Sequence, residues 1–233
     1  FVRDGAFVHE ISDTLQELGA DIPIIAKIER DVAVENIDSI IDAAYGVMVA
    51  RGDLGVEMPL EDVPMTQKRI INKCRNAGVP VITATEMLDS MIENRRPTRA
   101  EASDVANAVL DGTDAVMLSG ETAMGAHPPL VVETMDRIVR DVEASAEYAA
   151  TVEQNVPEAA VPQTDALARA ASYLASDIDA SAIVAASESG YTAQKVSKFR
   201  PSIPIVGSTP SDEVRRRLAL SWGIISETTP YTS

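Results

Sequence analysis

Three charged residues have the types and the spacing to do chemistry together. Lys27 and Glu29 stand two apart at the end of the apolar run IPIIAKIER, residues 22–30. If that run is a strand, its side chains alternate between faces. Lys27 and Glu29 then share one side while Ile24, Ala26 and Ile28 occupy the other. Asp53 follows at the end of the next apolar run, in ARGDLGVEMP. Two carboxylates with no nearby histidine or cysteine suit a hard divalent cation, Mg2+ or Mn2+, which takes one or two protein carboxylates and leaves its other positions to water and substrate phosphate. A lysine beside such a cation is aimed at negative charge. The two glycines flanking Asp53 would turn backbone amides inward to cradle an anion at the start of a short helix. Together these parts describe a site for phosphoryl transfer or enolate stabilisation, where positioning and electrostatics supply most of the rate. Each part also has a plainer reading: a lone Lys–Glu pair is more often a structural ion pair, and RGDLG alone reads equally well as a glycine-rich turn.

Recurrence along the chain favours the chemical reading. Strand-like runs at 22–28, 46–50, 79–84 and 114–118 alternate with helix-like runs at 31–43, 60–77 and 98–111, and another helix-like run follows at 128–148. This βα rhythm implies a parallel sheet covered by helices, and nearly continuous apolar strands fit burial on both faces. Each strand ends in polar residues: Lys27 and Glu29; Arg51 and Asp53; Thr83, Thr85 and Glu86; Ser119 and Glu121. In a parallel α/β barrel the carboxyl ends of the strands open onto one face, and that face holds the chemistry. Only four such ends occur, whereas a closed barrel has eight. The expectation is therefore a partial TIM (β/α)8 barrel with two unpaired sheet edges. Thr98 and Glu101 form a T-x-x-E capping box after Pro97, and Gly112 marks the stop of that helix.

Residues 149–163 lack periodicity, contain two prolines and read as a linker between a first domain, 1–148, and a second, 164–233. The second rhythm places helices at 164–176, 191–199 and 211–221 and strands near 181–186, 203–207 and 223–226. It describes a small, incomplete three-layer α/β unit. Its loop SESGYTA, residues 187–193, offers Ser187, Ser189, Gly190 and Thr192 as a phosphate cradle at a helix start. A plain strand-to-helix turn is the equal alternative.

Composition bounds the function. The chain has 233 residues, 45% hydrophobic and 24% charged, which describes a folded globular protein. No apolar run approaches the ~20 residues of a membrane helix, and the start FVRDGAF carries no basic leader. Cys74, the single cysteine, fits a reducing compartment and is expected to be a half-buried helix residue. Cytoplasmic placement is expected. A formal net charge of −16 argues against nucleic acid as a partner. Only five of the twenty basic residues are lysines, and an acidic, lysine-poor surface suits a protein exposed to high salt. An ordinary acidic cytosolic enzyme is the alternative.

The runs AKIE, VMVARGDLGVE, PVITATEMLDSMI, RPTRAEASDVANAVLDGTDAVMLSGETA and FVRDGAFVHEI resemble the pyruvate kinase family, in order and at the family's spacing. The resemblance covers most of residues 1–148, and residues 164–221 resemble that family's carboxyl-terminal domain more weakly. It implies transfer of the phosphoryl group of phosphoenolpyruvate to ADP, giving pyruvate and ATP, by a cytoplasmic homotetramer that uses Mg2+ or Mn2+, with K+ as a candidate second cation. By the same resemblance, Lys27 neutralises charge on the moving phosphoryl group and the enolate. Glu29 and Asp53 are the metal ligands, and the amides of Gly52 and Asp53 seat the substrate carboxylate. Thr85 contacts that carboxylate and orients a water for proton delivery, since an unperturbed hydroxyl is a poor acid. Arg51, Ser119 and Glu121 support these groups. The resemblance further implies that FVR is the tail of a fourth strand, that the nucleotide and K+ ligands lie upstream of this chain, and that the chain alone is inactive. Glu188, where versions of the family place lysine or threonine, disfavours a sugar-bisphosphate effector.

Two other classes remain open. A pyruvate-using Schiff-base aldolase also needs a barrel lysine, but a deprotonated one. A non-catalytic regulatory or assembly module would use the helix PTRAEASDVANAV as an association surface.

Overall fold

In the computed structural model, which describes residues 1–154 and 162–230, the chain divides into two compact units, Phe1–Tyr148 and Ala149–Ser233. The first unit begins with α1 (Gly5–Glu17), β1 (Ile25–Ile28), α2 (Asp31–Glu35), α3 (Ile37–Ala43), β2 (Gly46–Ala50) and α4 (Arg51–Glu57). It continues with α5 (Val63–Ala77), β3 (Val81–Ala84), α6 (Arg99–Asp111), β4 (Ala115–Met117), α7 (Gly120–Ala123) and α8 (Pro128–Glu143), and α9 (Ala146–Gln154) begins in this unit and runs past its last residue. Its strands form one parallel sheet in the order β1-β2-β3-β4, with Lys27 opposite Met48 and Thr83 opposite Val116. Parallel order puts every strand's carboxyl end along one rim, as the βα rhythm predicts.

The core explains the alternation. Ala26 and Ile28 of β1 are buried beside Val47 and Val49 of β2, Ile70, Ile71 and Cys74 of α5, and Val81 of β3. Cys74 is fully rather than half buried, and burial pushes its thiol pKa well above the ordinary value. Met87, Leu88 and Met91, from the turn after β3, join Val105 and Ala108 of α6 and Val131 and Met135 of α8 in a second cluster.

Several boundaries depart from the sequence reading. Residues 1–3 make no strand; Asp4 instead caps α1 by accepting from the Phe7 amide at 2.9 Å. α1 packs on α3 so closely that a Cβ on Gly5 would lie 2.2 Å from the Ser39 carbonyl oxygen. The expected helix over 31–43 breaks at Asn36, whose side chain donates back to the Val32 carbonyl at 2.9 Å and competes with the helical ladder. The expected linker is helical over 149–154, because the Ser145 hydroxyl accepts from the Tyr148 amide at 3.1 Å and the alanine-rich sequence continues that turn without any apolar period. Residues 155–161 of that stretch lie outside the described residues.

The second unit contains α10 (Gln163–Asp177), β5 (Ile183–Ala186), α11 (Tyr191–Ser197), β6 (Ile205–Thr209), α12 (Asp212–Leu218) and β7 (Ile224–Thr228). Its parallel sheet runs β5-β6-β7 over a core of Ala168, Ala185, Ala193, Val196, Ile205 and Leu218. Among the described residues no helix is long and apolar enough to cross a membrane.

Candidate active site

Adjacent strand ends bring Lys27, Glu29 and Asp53 to one point. β1 delivers Lys27 and, just past its end, Glu29, which is 8% exposed. β2 runs directly into α4, so Asp53 falls in that helix's first turn. The Lys27 ammonium donates to Glu29 Oε2 and, at 2.6 Å, to Asp53 Oδ2. Two carboxylates from neighbouring strands thus touch one nitrogen and are near enough to share one cation. Its hydrogen bonds, first to Asp53 and then to Glu29, hold the lysine's pKa above its ordinary value, against a smaller opposing effect of burial. Lys27 is therefore an ammonium throughout the neutral range. A cleft of about 290 Å³ opens beside this group, walled by Phe1, Phe7, Ile11 and Ile25.

The oxygen donors fit a hard divalent cation. Among the described residues no third carboxylate, histidine or cysteine joins a cluster, so the protein would supply two ligands and leave the rest to water and substrate.

Thr85, which meets the amide of Gly52, the residue before Asp53, is held in a costly conformation. It and Glu86, the first residues past β3, have φ of +69° and +52°, a left-handed pair that costs ~1–3 kcal/mol per residue. Burial of Met87, Leu88 and Met91, each 0% exposed and worth ~1.5–3 kcal/mol, offsets that strain by anchoring the turn in the core. The Gly52 amide donates to Thr85 Oγ1 at 2.8 Å, and the Thr85 hydroxyl donates to the Ala84 carbonyl at 2.6 Å. The expected start of a short helix is present here, as the first turn of α4. Gly52 and Gly55 sit inside α4 without positive φ, and the Gly52 amide already has a hydroxyl partner.

Arg51 and Glu121 brace the same turn from opposite sides. Arg51, 8% exposed, donates from Nε and Nη2 to the Thr85 carbonyl at 3.2 and 2.7 Å, and from Nη2 to the Glu86 carbonyl at 2.8 Å. Its Nη1 lies 2.6 Å from Asp104 Oδ2 and 3.4 Å from Gln67 Oε1. Glu121, 2% exposed, accepts from the Leu88 amide at 3.1 Å and from the Ser119 amide at 2.7 Å. Ser119 contributes that amide and its carbonyl, which accepts from the Thr122 hydroxyl at 3.3 Å. Sequence reasoning missed Asp104 and Gln67. Nothing in their helices marks a polar partner on another element.

In the second unit, the loop at 187–193 holds its own amides. Thr192 N donates to Ser187 Oγ at 3.4 Å and Tyr191 N to Ser189 Oγ at 3.5 Å, while Gly190 precedes α11 at φ +82°. Glu188 is exposed, and its carbonyl accepts from Thr209 Oγ1 at 3.3 Å.

The chain as a whole has counterparts among known proteins. Residues 1–132 match the family described as "Pyruvate kinase, barrel domain", and residues 165–232 match "Pyruvate kinase, alpha/beta domain". Pyruvate kinases from Sporosarcina psychrophila and Geobacillus stearothermophilus are each 51% identical, over 96% and 100% of this chain and 38% and 40% of their own lengths. One from Clostridium perfringens is 51% identical over 99% of this chain and 49% of its own. The crystal structure of a pyruvate kinase from Cryptosporidium parvum superimposes with a TM-score of 0.92 at 44% identity, covering 98% of this chain and 48% of that one. The chain thus spans 38% to 49% of the length of these relatives. Identity of this depth, carried across both units, makes the chain a member of the pyruvate kinase family.

Proposed function

We propose that the protein, as part of a chain of its relatives' length, transfers the phosphoryl group of phosphoenolpyruvate to ADP, giving pyruvate and ATP. One observation carries this reading: an ammonium and two carboxylates, from adjacent strand ends, meet at one point beside the Thr85 hydroxyl. Lys27 brings positive charge to the phosphoryl oxygens in flight and to the enolate left behind. Glu29 and Asp53 would hold Mg2+ or Mn2+, which when bound neutralises phosphate charge as a Lewis acid. The first-turn amides of Gly52 and Asp53 receive the substrate carboxylate, which shares the Gly52 N–H with Thr85 Oγ1. Thr85 then orients a water for protonation of the enolate. Arg51, Ser119 and Glu121 keep the frame.

The raised pKa of Lys27 opposes the aldolase alternative, because a Schiff base starts from a neutral amine. K+ is proposed as a second cation with ligands outside this chain. The remaining parts of the reading are a cytoplasmic homotetramer and a salt-adapted surface. In the 187–193 loop, Glu188 repels a sugar bisphosphate.

The deciding assay follows pyruvate formation from phosphoenolpyruvate, ADP and Mg2+ by the full-length enzyme, its Lys27→Met variant and this chain alone. The variant should lose at least ~10²–10³ in turnover, the scale of one preorganised electrostatic group. The isolated chain, with four strands instead of a closed barrel, should show none. Near-normal turnover by Lys27→Met refutes the reading.

A further inference from the structure

The strained turn at Thr85 and Glu86 is gripped by Arg51, and Arg51 is itself gripped from α6. A guanidinium is a rigid planar fork, so fixing one of its nitrogens fixes the direction of the others. Asp104 Oδ2 holds Nη1 at 2.6 Å, which leaves Nε and Nη2 aimed at the Thr85 and Glu86 carbonyls. Both ends of this linkage are constrained. Arg51 is 8% exposed at its side chain, and the residues it holds are the two that carry positive φ at the site. Release of the fork would let that pair relax, and the Thr85 hydroxyl would leave the Gly52 amide that it now meets at 2.8 Å. Asp104 supplies no atom to the group formed by Lys27, Glu29 and Asp53, and its side chain is 39% exposed.

We propose that Asp104 is a positioning residue for the reaction, acting through Arg51 to keep Thr85 in its left-handed conformation; this rests on the phosphoryl-transfer reading above. The role differs from general support of the fold. It predicts an effect on turnover that passes through Thr85 and spares the cation site, whose two carboxylates stand on other strand ends.

The test is made in the full-length enzyme with Asp104→Asn, Asp104→Glu, Thr85→Ala and the Asp104→Asn/Thr85→Ala pair, with Lys27→Met in parallel. Asp104→Asn should lower kcat about ten- to a hundredfold, the cost of misplacing a reacting group by an ångström or less, with unchanged half-saturation by Mg2+. Asp104→Glu keeps the charge one methylene further out and should give a smaller loss, still above about twofold. In the Thr85→Ala background, Asp104→Asn should cost less than about twofold more, since interacting residues are not additive. Asp104→Asn turnover within twofold of wild type overturns the proposal, as does an equal loss with and without Thr85. If Asp104→Asn does not fold, Asp104→Glu decides: reduced kcat with unchanged Mg2+ dependence supports the role, and wild-type kcat overturns it. Should Lys27→Met stay active, the phosphoryl-transfer reading falls; should Lys27→Met be dead while Asp104→Asn is normal, only the present inference falls.

Discussion

Lys27 owes its chemistry to its neighbours. Asp53 and Glu29 both accept from its ammonium and raise its pKa, so the charged form is fully held below the ordinary value of 10.5 and is lost only as pH climbs through the higher value in the fold. In the full-length enzyme Glu29→Gln should raise the Mg2+ concentration for half-activity at least about tenfold, since one of the two proposed carboxylate ligands is gone. A metal titration checks this. An unchanged titration would remove Glu29 from the ligand set.

α6 shows how one helix start can fix a whole segment. Thr98 accepts from the Glu101 amide at 3.2 Å while Glu101 accepts in return from the Thr98 amide at 2.7 Å, the reciprocal box its sequence predicts, and Gly112 ends the helix at φ +94°. The same carboxylate also accepts from the Ser90 amide at 2.7 Å and the Ser90 hydroxyl at 2.6 Å, tying the segment after β3 to the helix. Burial pushes the Glu101 pKa up, but the hydrogen bonds from Ser90 and Thr98 outweigh it and hold the pKa below 4.5. Its stabilisation is therefore present above pH 4.5 and is lost as pH falls through the lower folded value. Urea unfolding between pH 3 and 6 should show a steeper acid loss for the wild type than for Glu101→Gln. Thr98→Ala should cost about 1 kcal/mol at neutral pH. Parallel acid curves for the wild type and Glu101→Gln would contradict the cap.

Across the molecule the dominant feature is charge. At −16 for 233 residues, self-repulsion weakens the compact state in dilute buffer, and salt near 1 M shortens its reach to about 3 Å. The midpoint of thermal unfolding should therefore rise steadily from dilute to molar KCl. A midpoint that stays level or falls would mark an ordinary acidic protein. The open sheet has its own consequence at this scale, since β1 and β4 each leave a backbone edge unpaired within the described sheet.

Much of this was readable in advance because it is periodic and local. Apolar runs with polar ends announced the strands of the first sheet, and the spacing of Lys27 and Glu29 brought their side chains together at the end of β1. The T-x-x-E signature located α6 from four residues. What escaped is nonlocal. The Lys27–Asp53 bond joins residues 26 apart, and Arg51 reaches a Thr85 carbonyl 34 positions on. No local pattern announces that Thr85 and Glu86 turn left-handed, because those angles are imposed by the burial of Met87 and Leu88 on one side and by Arg51 on the other. By itself, then, the sequence determined which residues stand at strand ends and what chemistry their types allow, since hydrophobic period and charge are properties of neighbouring residues. Only the tertiary structure decided that Gly52 faces Thr85 and that Asp104 pairs with Arg51, because those contacts exist only once separate elements pack side by side.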